Sequence, residues 1–543
     1  MEFKNENTFA MDEVKLDKNF DKAVKKVQKS FGKHYPMYIN GKSVNAAEEI
    51  KTISPIDGRI TIGYFQRGNL FHTRKAIDAA KEALQEWQHL DWMKRIKIMR
   101  KAADVISDNK FDIATIVSFE NGKTRGESIG EVDEAIDFLR YYSFLVEQNK
   151  GFIIQRGKYS GGEKGTLGHQ GSRSSGESVR IVSRPFGVWG VIAPFNFPFS
   201  ISTGMSAAAL IMGNTVVFKP SFGDNPAPLS GLKLYEVLEK AGLPKGVFNY
   251  VTGFGKDVGE EILENLTVKG VAFTGSRDVG MSMLKKSVNM NVPKQFVMEM
   301  GSKNPVIVCE DADVSKAVNG VASAAFGFCG QKCSACSRVL VHENIYDKFI
   351  SNLIERVRIM KIGNPLEKDV YVGPIIGKTS LESFLSTIEK AKAEGRVSFG
   401  GRQIIGSELY NNGFYVEPTI IEVNTSSEIF HKELFLPILA IVKYKKFEEA
   451  IGIANDTEYG LTAGLYTNDK KKIDFFNKNI EYGTTYVNRD VSATTGAVVG
   501  QQTFVGCKGS SLGCKGTSSL SYLLQFVREH SETTVEPQSK SSS

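Results

Sequence analysis

Residues 326–338 read Phe-Gly-Phe-Cys-Gly-Gln-Lys-Cys-Ser-Ala-Cys-Ser-Arg and hold three of the six cysteines in the chain. Three interpretations of Cys329, Cys333 and Cys336 compete. One of them can be a reactive thiolate on a glycine-flanked loop. Alternatively, the C-x3-C-x2-C spacing can hold an iron–sulfur cluster. The third interpretation is that all three are small, buried and inert.

The surroundings of Cys333 favour the first interpretation. The cluster spacing is typical of radical-SAM enzymes, but there it lies early in the chain. Inert cysteines would explain Cys329 and Cys336, but not the Gly-Gln-Lys run before Cys333. That run resembles the nucleophile motif of the aldehyde dehydrogenase superfamily. Glu299, which opens Glu-Met-Gly roughly 30 residues upstream, resembles the general base of that superfamily.

Composition and charge describe an ordinary soluble protein. The 543 residues are 41% hydrophobic and 24% charged, enough for more than one domain. The 68 basic and 61 acidic residues form no dense basic block, so no nucleic-acid partner is expected. Residues 1–33 lack a secretory apolar core, and no apolar run reaches the ~18 residues that span a bilayer. Cysteines without a regular framework favour a reducing compartment, so we predict a cytoplasmic protein without a membrane partner.

The order of hydrophobic patterns predicts an α/β fold. Residues 71–148 carry apolar positions at helical spacing. Residues 151–177 are rich in Gly, Ser and Lys and predict a flexible hairpin or excursion. Residues 519–535 predict a terminal strand, with an apolar run at 522–527 and a polar tail. Strand-like runs at 187–193, 215–218, 247–252, 270–273, 305–309 and 338–342 alternate with helical patterns at 202–212, 228–241, 256–265, 279–288 and 313–327. Such alternation is typical of a parallel sheet with helices on both faces.

A stiff loop follows the strand predicted at 187–193. It reads Ala-Pro-Phe-Asn-Phe-Pro over residues 193–198, and its prolines can pre-position the Asn196 side chain. An amide N–H aimed at a developing oxyanion is what acyl chemistry needs. Alone, an Asn beside prolines is usually a turn former. Asn196 nevertheless resembles the superfamily's oxyanion Asn, which acts together with the backbone N–H of the nucleophile.

Lys219 and Ser221 follow the strand predicted at 215–218. In isolation, such a Lys is most often a solvated strand end. In the superfamily, the matching Lys binds the adenosine ribose, and members that prefer NAD often carry an acid three residues later. This chain has Phe222 there, and without an acid to repel a 2′-phosphate the sequence predicts NAD and leaves NADP open.

Two glycine-bearing turns follow. Gly255 belongs to a G-x-G-x3-G run at residues 253–259, which a plain tight turn explains equally well. The run Phe-Thr-Gly-Ser at residues 273–276 resembles the superfamily turn whose Ser and helix N-terminus hold the pyrophosphate. This resemblance implies that Gly275 and Ser276 contact the cofactor, since helix N-termini favour phosphate.

Glu299 ends an apolar strand-like run at residues 296–298. Partial desolvation there raises the pKa of a carboxyl group toward the range that a general base needs. The alternative is a salt-bridged glutamate at the end of a strand. The superfamily usually has Gly where this chain has Ser302.

A further resemblance lies at residues 432–437, Lys-Glu-Leu-Phe-Leu-Pro. It is similar to the superfamily's Glu-x-Phe-Gly-Pro, whose Glu holds the nicotinamide ribose and whose Phe abuts the ring. These roles fall on Glu433 and Phe435. Leu436 replaces the usual Gly and adds bulk beside the cofactor.

The resemblance covers roughly residues 36–535 and implies an α/β fold of the aldehyde dehydrogenase type. This fold has a parallel-sheet cofactor domain, an α/β catalytic domain and a small β oligomerisation domain, and it implies a homo-oligomer. The boundaries expected here are 1–150 and 184–299 for the dinucleotide-binding domain, 300–486 for the catalytic domain, and 151–183 and 487–543 for the oligomerisation domain.

Within the superfamily, the sequence is similar to the branch that oxidises glutamate semialdehyde, the 1-pyrroline-5-carboxylate dehydrogenases. The 326–338 run and Thr-Gly-Ala-Val-Val-Gly-Gln-Gln at 495–502 carry this similarity. This chain departs from the pattern of the branch at Val505. An alternative interpretation of residues 491–517 is a plain Gly/Ser-rich loop. Substrate roles implied by the resemblance are Ser334, Gly496 and Ala497 on the α-carboxylate, Phe197 and Phe504 around the aliphatic part, and Glu134 on the α-ammonium.

The sequence therefore predicts an NAD(P)-dependent oxidation of L-glutamate 5-semialdehyde to L-glutamate, in proline degradation. The predicted route is a thioester on Cys333, with Asn196 and Glu299 assisting and no metal required. Two alternatives stay open: a dehydrogenase of another semialdehyde or aliphatic aldehyde, and a non-enzymatic relative with a dead site.

Overall fold

The computed structural model describes residues 3–159, 177–224, 226–490 and 498–535, and the statements below concern these residues. Its strands are β1 Lys33–Tyr35, β2 Met37–Ile39, β3 Lys42–Val44, β4 Glu49–Ile53, β5 Thr61–Gln66, β6 Ile153–Tyr159, β7 Glu177–Pro185, β8 Val188–Ile192, β9 Thr215–Lys219, β10 Phe248–Tyr250, β11 Val268–Gly275, β12 Gln295–Met300, β13 Asn304–Val308, β14 Cys336–His342, β15 Gly395–Phe399, β16 Thr419–Val423, β17 Ile438–Tyr444, β18 Tyr459–Gly460, β19 Thr462–Tyr466, β20 Thr484–Val487, β21 Cys507–Lys508, β22 Ser511–Leu512 and β23 Val527–Val535.

Helices cover the faces of the sheets. They are α1 Glu13–Gln28, α2 Leu70–Trp87, α3 Trp92–Asp108, α4 Lys110–Asn121, α5 Arg125–Gln148, α6 Ser200–Ile211, α7 Pro228–Ala241, α8 Glu260–Glu264, α9 Arg277–Val288, α10 Val314–Phe326, α11 Tyr346–Arg358, α12 Lys378–Glu394, α13 Glu408–Asn412, α14 Glu428–His431, α15 Phe447–Asn455, α16 Lys470–Asn479 and α17 Leu520–Leu524. The helices predicted over residues 71–148 are confirmed as α2 to α5.

An eight-stranded sheet carries the first group of functional residues, with strand order β22-β12-β11-β8-β9-β10-β2-β3. Its central strands are parallel, and all five residues of β8 and of β9 are buried, as expected for a sheet covered on both faces. The register aligns Ile192 with Lys219 and Thr274 with Glu299. The carboxyl ends of these strands therefore lie at one edge, where ligands bind in open α/β sheets.

The second large sheet has seven strands, in the order β15-β16-β17-β14-β13-β19-β20. Its strand β13 follows β12 in the chain after a three-residue connection, which brings the two sheets together near Glu299. Cys333 lies just before β14. The nucleophile predicted from sequence thus comes from the second sheet and the predicted base from the first.

A third sheet has the order β23-β7-β6 and is antiparallel throughout. The predicted excursion at 151–177 contains β6 and ends where β7 begins, and its residues 160–176 lie outside the described residues. Strand β22, from the segment 487–543, pairs with β12 of the eight-stranded sheet. The domain boundaries given above stay a prediction.

The terminal strand predicted over 519–535 is confirmed at β23, but the prediction is wrong for the apolar start of that segment. Residues Leu520–Leu524 form helix α17, and β23 begins only at Val527. Ser519 caps this helix, with its side chain accepting a hydrogen bond from Tyr522 N at 3.1 Å. The apolar run is short, and its buried members Tyr522, Leu523 and Phe526 fit helical spacing as well as a strand.

Among the described residues, no helix is long and apolar enough to cross a membrane.

Candidate active site

The loop before Cys333 is held in an unusual conformation. Phe328, Cys329 and Gly330 all have positive φ, at 49°, 52° and 64°. A Cβ on Gly330 would lie 2.5 Å from Leu436 O, so only glycine fits there. The Gln331 side chain accepts a hydrogen bond from Ile376 N at 2.8 Å. The Gly-Gln part of the sequence motif therefore builds the loop that presents the cysteine.

Two side chains hold the backbone of Cys333 itself. The Ser302 hydroxyl donates to Cys333 O, and Asn304 Nδ2 donates to the same oxygen at 2.7 Å and to Ala335 O at 2.9 Å. Sequence reasoning noted Ser302 only as a departure from glycine and missed Asn304. Both lie about thirty residues from the cysteine, and no local pattern connects them to it.

Glu299 and Cys333 face each other. Burial raises the pKa of the Glu299 carboxyl group, and its contact with Cys333 offsets part of that rise. Burial, followed by the proximity of Glu299, raises the pKa of the Cys333 thiol well above its usual range. One carboxyl oxygen of Glu299 is buried and has no hydrogen-bond partner among the described residues. The pair therefore holds a protonated thiol beside a buried carboxyl group.

The other two cysteines of the motif have separate partners. Cys329 Sγ donates to Gly373 O at 3.0 Å, and Cys336 Sγ lies 3.5 Å from Arg338 O. Both are buried, and burial raises the pKa of Cys336 to about 12. Their thiols are inert packing groups, whereas Cys333 is half-buried at a cavity wall.

Two cavities meet at Cys333 and Glu299. The first has a volume of about 240 Å³ and the second about 620 Å³, and both are lined by these two residues together with Phe273 and Thr274. A molecule in either cavity therefore reaches the same thiol. This arrangement suits a reaction between two bound reactants at one nucleophile.

The larger cavity is lined by most of the predicted cofactor residues. Ser221, Gly275, Ser276, Glu433 and Phe435 line it, and so does Asn196, which is 3% exposed. Ser276 caps the N-terminus of α9, which opens toward this cavity. The backbone N–H groups of such a helix end attract phosphate.

Lys219 and Gly255 lie beside this cavity and are not part of its described lining. Lys219 is 5% exposed, its Nζ donates to Pro220 O at 2.9 Å, and burial lowers its pKa to about 8. An ammonium has three N–H donors, so Lys219 can serve further acceptors. Gly255 comes directly after the lining residue Phe254, in the first turn of a short helical segment.

Glu433 is held on the far wall of the larger cavity. It accepts a hydrogen bond from Ser302 N at 2.6 Å, and burial raises its pKa to about 7. Gly301 has a φ of 42°, and a Cβ there would lie 2.6 Å from the Glu433 carboxylate. Phe435 has a φ of 58°, and its ring centroid lies 5.8 Å from that of Phe195, on the Asn196 loop.

The smaller cavity is lined by four of the predicted substrate residues, namely Glu134, Phe197, Ser334 and Phe504. Burial raises the pKa of Glu134 to about 7. Gly496 and Ala497 lie outside the described residues, whereas Val498, directly after them, lines the cavity.

A buried ion pair, which was not predicted from the sequence, lies against a residue of the cavity wall. Lys123 Nζ lies 2.5 Å from Glu131 Oε2, and both side chains are fully buried. Lys123 Nζ also lies 3.3 Å from the centroid of the Phe197 ring. Glu131 accepts hydrogen bonds from Phe199 N at 2.8 Å and Ser200 N at 3.2 Å. The pair fixes the start of α6 and the ring of Phe197 together.

Comparison with known proteins agrees with this geometry. The family model described as the aldehyde dehydrogenase family matches residues 42–530. The chain belongs to the aldehyde dehydrogenase family. The family resemblance stated from the sequence is thereby confirmed.

Among curated relatives, the 1-pyrroline-5-carboxylate dehydrogenase of Geobacillus sp. (strain WCH70) is 34% identical over 494 residues, covering 90% of this chain and 91% of that protein. The enzyme of the same name from Staphylococcus aureus (strain MW2) is 34% identical over 537 residues, covering 97% and 98%. The solved structure of 1-pyrroline-5-carboxylate dehydrogenase from Thermus with bound NAD is 31% identical, with a TM-score of 0.89 and 99% of both chains covered. The predicted fold class is confirmed.

For an aldehyde dehydrogenase, the role assigned to Asn196 is testable. We expect Asn196→Ala to lower kcat by about 10²–10³-fold, as loss of one oxyanion donor does, without weakening dinucleotide binding. Steady-state kinetics and cofactor titration measure both quantities. Asn196→Asp is the matched variant, because it keeps the size and removes the N–H donor. Full activity of either variant would contradict the oxyanion role.

Proposed function

We propose that this chain oxidises L-glutamate 5-semialdehyde, the open form of 1-pyrroline-5-carboxylate, to L-glutamate with NAD. This is a step of proline degradation. The observation that carries the proposal is the meeting of two cavities at one facing pair, Cys333 and Glu299. The names of the relatives, including an NAD-bound structure, support the substrate and the cofactor.

In the proposed reaction, the Cys333 thiol gives its proton to solvent, and the thiolate sulfur attacks the aldehyde carbon to form a thiohemiacetal. Asn196 and the Cys333 backbone N–H stabilise the oxyanion. NAD, when bound, supplies the hydride acceptor. The acyl group then stays on Cys333 as a thioester. Glu299 removes a proton from water, which attacks the thioester and releases the acid and the thiol.

The residues of the larger cavity fit a dinucleotide. The N-terminus of α9 with Ser276 offers donors to a pyrophosphate, and buried Lys219 and Glu433 offer a donor and an acceptor to ribose hydroxyls. Phe222, beside Ser221 on the wall, supplies no carboxylate that would repel a 2′-phosphate, so NADP remains the alternative cofactor.

The residues of the smaller cavity fit an amino-acid aldehyde. Phe197 and Phe504 offer apolar faces to the methylene groups, and Ser334, next to the nucleophile, offers a hydroxyl donor to the α-carboxylate. Glu134, which also lines this cavity, can pair with the α-ammonium. Gly496 and Ala497 complete this proposal from the sequence resemblance alone.

The substrate assignment predicts a selective defect in Ser334→Ala. Loss of a hydrogen bond to a charged group is expected to raise KM for glutamate semialdehyde about 10-fold or more, with propanal oxidation unchanged. The matched control is Ser337→Ala, because Ser337 is not among the described lining residues of either cavity. Equal effects on both aldehydes would contradict the carboxylate contact.

The direct test is nicotinamide reduction with glutamate semialdehyde, succinate semialdehyde and propanal, each with NAD and with NADP. Preference for glutamate semialdehyde supports the proposal. Turnover of only the other aldehydes would agree with the proposed mechanism but contradict the assignment of glutamate semialdehyde as the substrate. That second candidate has support, because lactaldehyde dehydrogenase from Escherichia coli is also similar, 30% identical with a TM-score of 0.82 and 93% of this chain covered.

We further propose a cytoplasmic homo-oligomer with the three domains defined above. All six cysteines are free, which fits a reducing compartment. The edge of the β23-β7-β6 sheet is available for association, because β23 pairs only with β7 among the described strands. Size-exclusion chromatography with light scattering tests the assembly, and a monomer at assay concentration would contradict it.

A further inference from the structure

Cys507 and Cys514 form a thiol pair outside the catalytic chemistry. They lie at the two ends of the segment 507–514, in which a turn joins β21 to β22 and is closed by a hydrogen bond from Ser510 N to Cys507 O at 3.0 Å. The two side chains are within hydrogen-bonding reach of each other, Cys507 half-buried and Cys514 exposed. The catalytic residues named above do not explain this pairing.

This segment connects two sheets, because β21 and β22 pair with strands of different sheets. On one side, Cys507 pairs with Gly460 of β18. On the other side, Ser511 pairs with Glu299 in β12, and Met300 N donates to Ser510 O at 2.8 Å. Gly506, Ser511, Leu512 and Lys515 line the smaller cavity. Residues of this segment and its neighbours are therefore part of the same cavity wall as the predicted base.

We propose that Cys507 and Cys514 are a modification site, at which a low-molecular-weight disulfide such as glutathione disulfide installs a reversible intramolecular disulfide. The exposed Cys514 thiolate attacks glutathione disulfide, forming a mixed disulfide and releasing one glutathione thiol. Cys507 then attacks the sulfur of Cys514 and releases the second glutathione. Two protein thiols are oxidised, one glutathione disulfide is reduced to two glutathiones, and a dithiol reductant reverses both steps.

The exposure of the six thiols determines which of them the oxidant can reach. Cys309, Cys329 and Cys336 are buried, and Cys333 is half-buried at the junction of the cavities. Cys514 is the exposed thiol among the six, and Cys507 lies within hydrogen-bonding reach of it as a resolving partner. A disulfide requires the two sulfur atoms to approach to a bond length of about 2.05 Å. The closed ring would tie the strand that pairs with Gly460 to the strand that pairs with Glu299.

Peptide mapping tests the disulfide directly. Trypsin cleaves after Lys508, inside the ring, so residues 490–508 and 509–515 become separate peptides, each with one of the two cysteines. After treatment of the full-length enzyme with glutathione disulfide and alkylation, we expect these peptides joined and lighter by two hydrogens. The other four cysteines should be alkylated, and dithiothreitol should separate the peptides. A glutathione adduct on Cys514 with alkylated Cys507, or a link to another cysteine, would overturn the proposal.

Variants and stability complete the test. Cys507→Ser should leave a glutathione adduct on Cys514, whereas the control Cys309→Ser should keep the linked peptides. Closure of so short a ring should raise the unfolding temperature of the oxidised enzyme by about 1–2 °C over the reduced enzyme, with kcat on propanal unchanged. No rise, or loss of kcat restored only by dithiothreitol, would show that the oxidant acts elsewhere and would overturn the assignment.

Discussion

Replacing Cys333 by alanine is expected to lower kcat by about 10⁴–10⁶-fold, the loss typical of removing a covalent nucleophile. The reason is geometric as well as chemical, because Cys333 is the cysteine on the wall that the two cavities share. Cys329 and Cys336 bond to backbone carbonyl groups away from that wall and cannot substitute for it. Steady-state assays with the proposed semialdehyde and NAD measure the loss.

The control for this prediction is Cys336→Ala, three residues further along the motif. We expect it to keep kcat within the experimental error, because the Cys336 thiol is buried and fills space only. Dinucleotide binding, followed by fluorescence titration, should be the same in both variants. Substantial activity of Cys333→Ala, or an equal loss in Cys336→Ala, would contradict the assignment of the nucleophile.

The nucleophile loop could be predicted from sequence because its requirements are local. Gly330 avoids a clash with Leu436 O, and Gln331 binds Ile376 N, so both residues of the motif have a fixed geometric task beside Cys333. The parallel-sheet framework was equally visible, since strands such as β8 and β9 are buried along their whole length and read as continuous apolar runs.

Features that depend on distant contacts could not be predicted. The hydrogen bonds of Ser302 and Asn304 to the Cys333 carbonyl form only when β13 comes beside the loop. The Lys123–Glu131 pair under Phe197 has no sequence signature of its own. The apolar run before Val527 was ambiguous between strand and helix, and the cap at Ser519 decided for the helix. The roles of the cofactor and substrate residues stay predictions until tested by substitution.

Replacing Glu299 by glutamine is expected to separate the two halves of the reaction. Gln is isosteric but cannot accept a proton from water, so the thioester on Cys333 should form and persist. We expect a burst of about one reduced nicotinamide per active site, followed by a steady-state rate about 10²–10⁴-fold below that of the unchanged enzyme. Stopped-flow absorbance measures both phases. A missing burst would show that Glu299 is needed to deprotonate Cys333 as well.

The pH dependence gives an independent test of the same residue. Burial raises the pKa of Glu299, so the protonated form persists to a higher pH than for an exposed glutamate. Activity should therefore fall as the pH is lowered through this raised pKa, and the deacylation rate of Glu299→Gln should lack that limb. Glu433→Gln is the comparison, because Glu433 lines the larger cavity and is expected to change KM for NAD while keeping the limb. If Glu299→Gln kept the acidic limb, the titrating group would be another residue, and Glu299 would not be the general base.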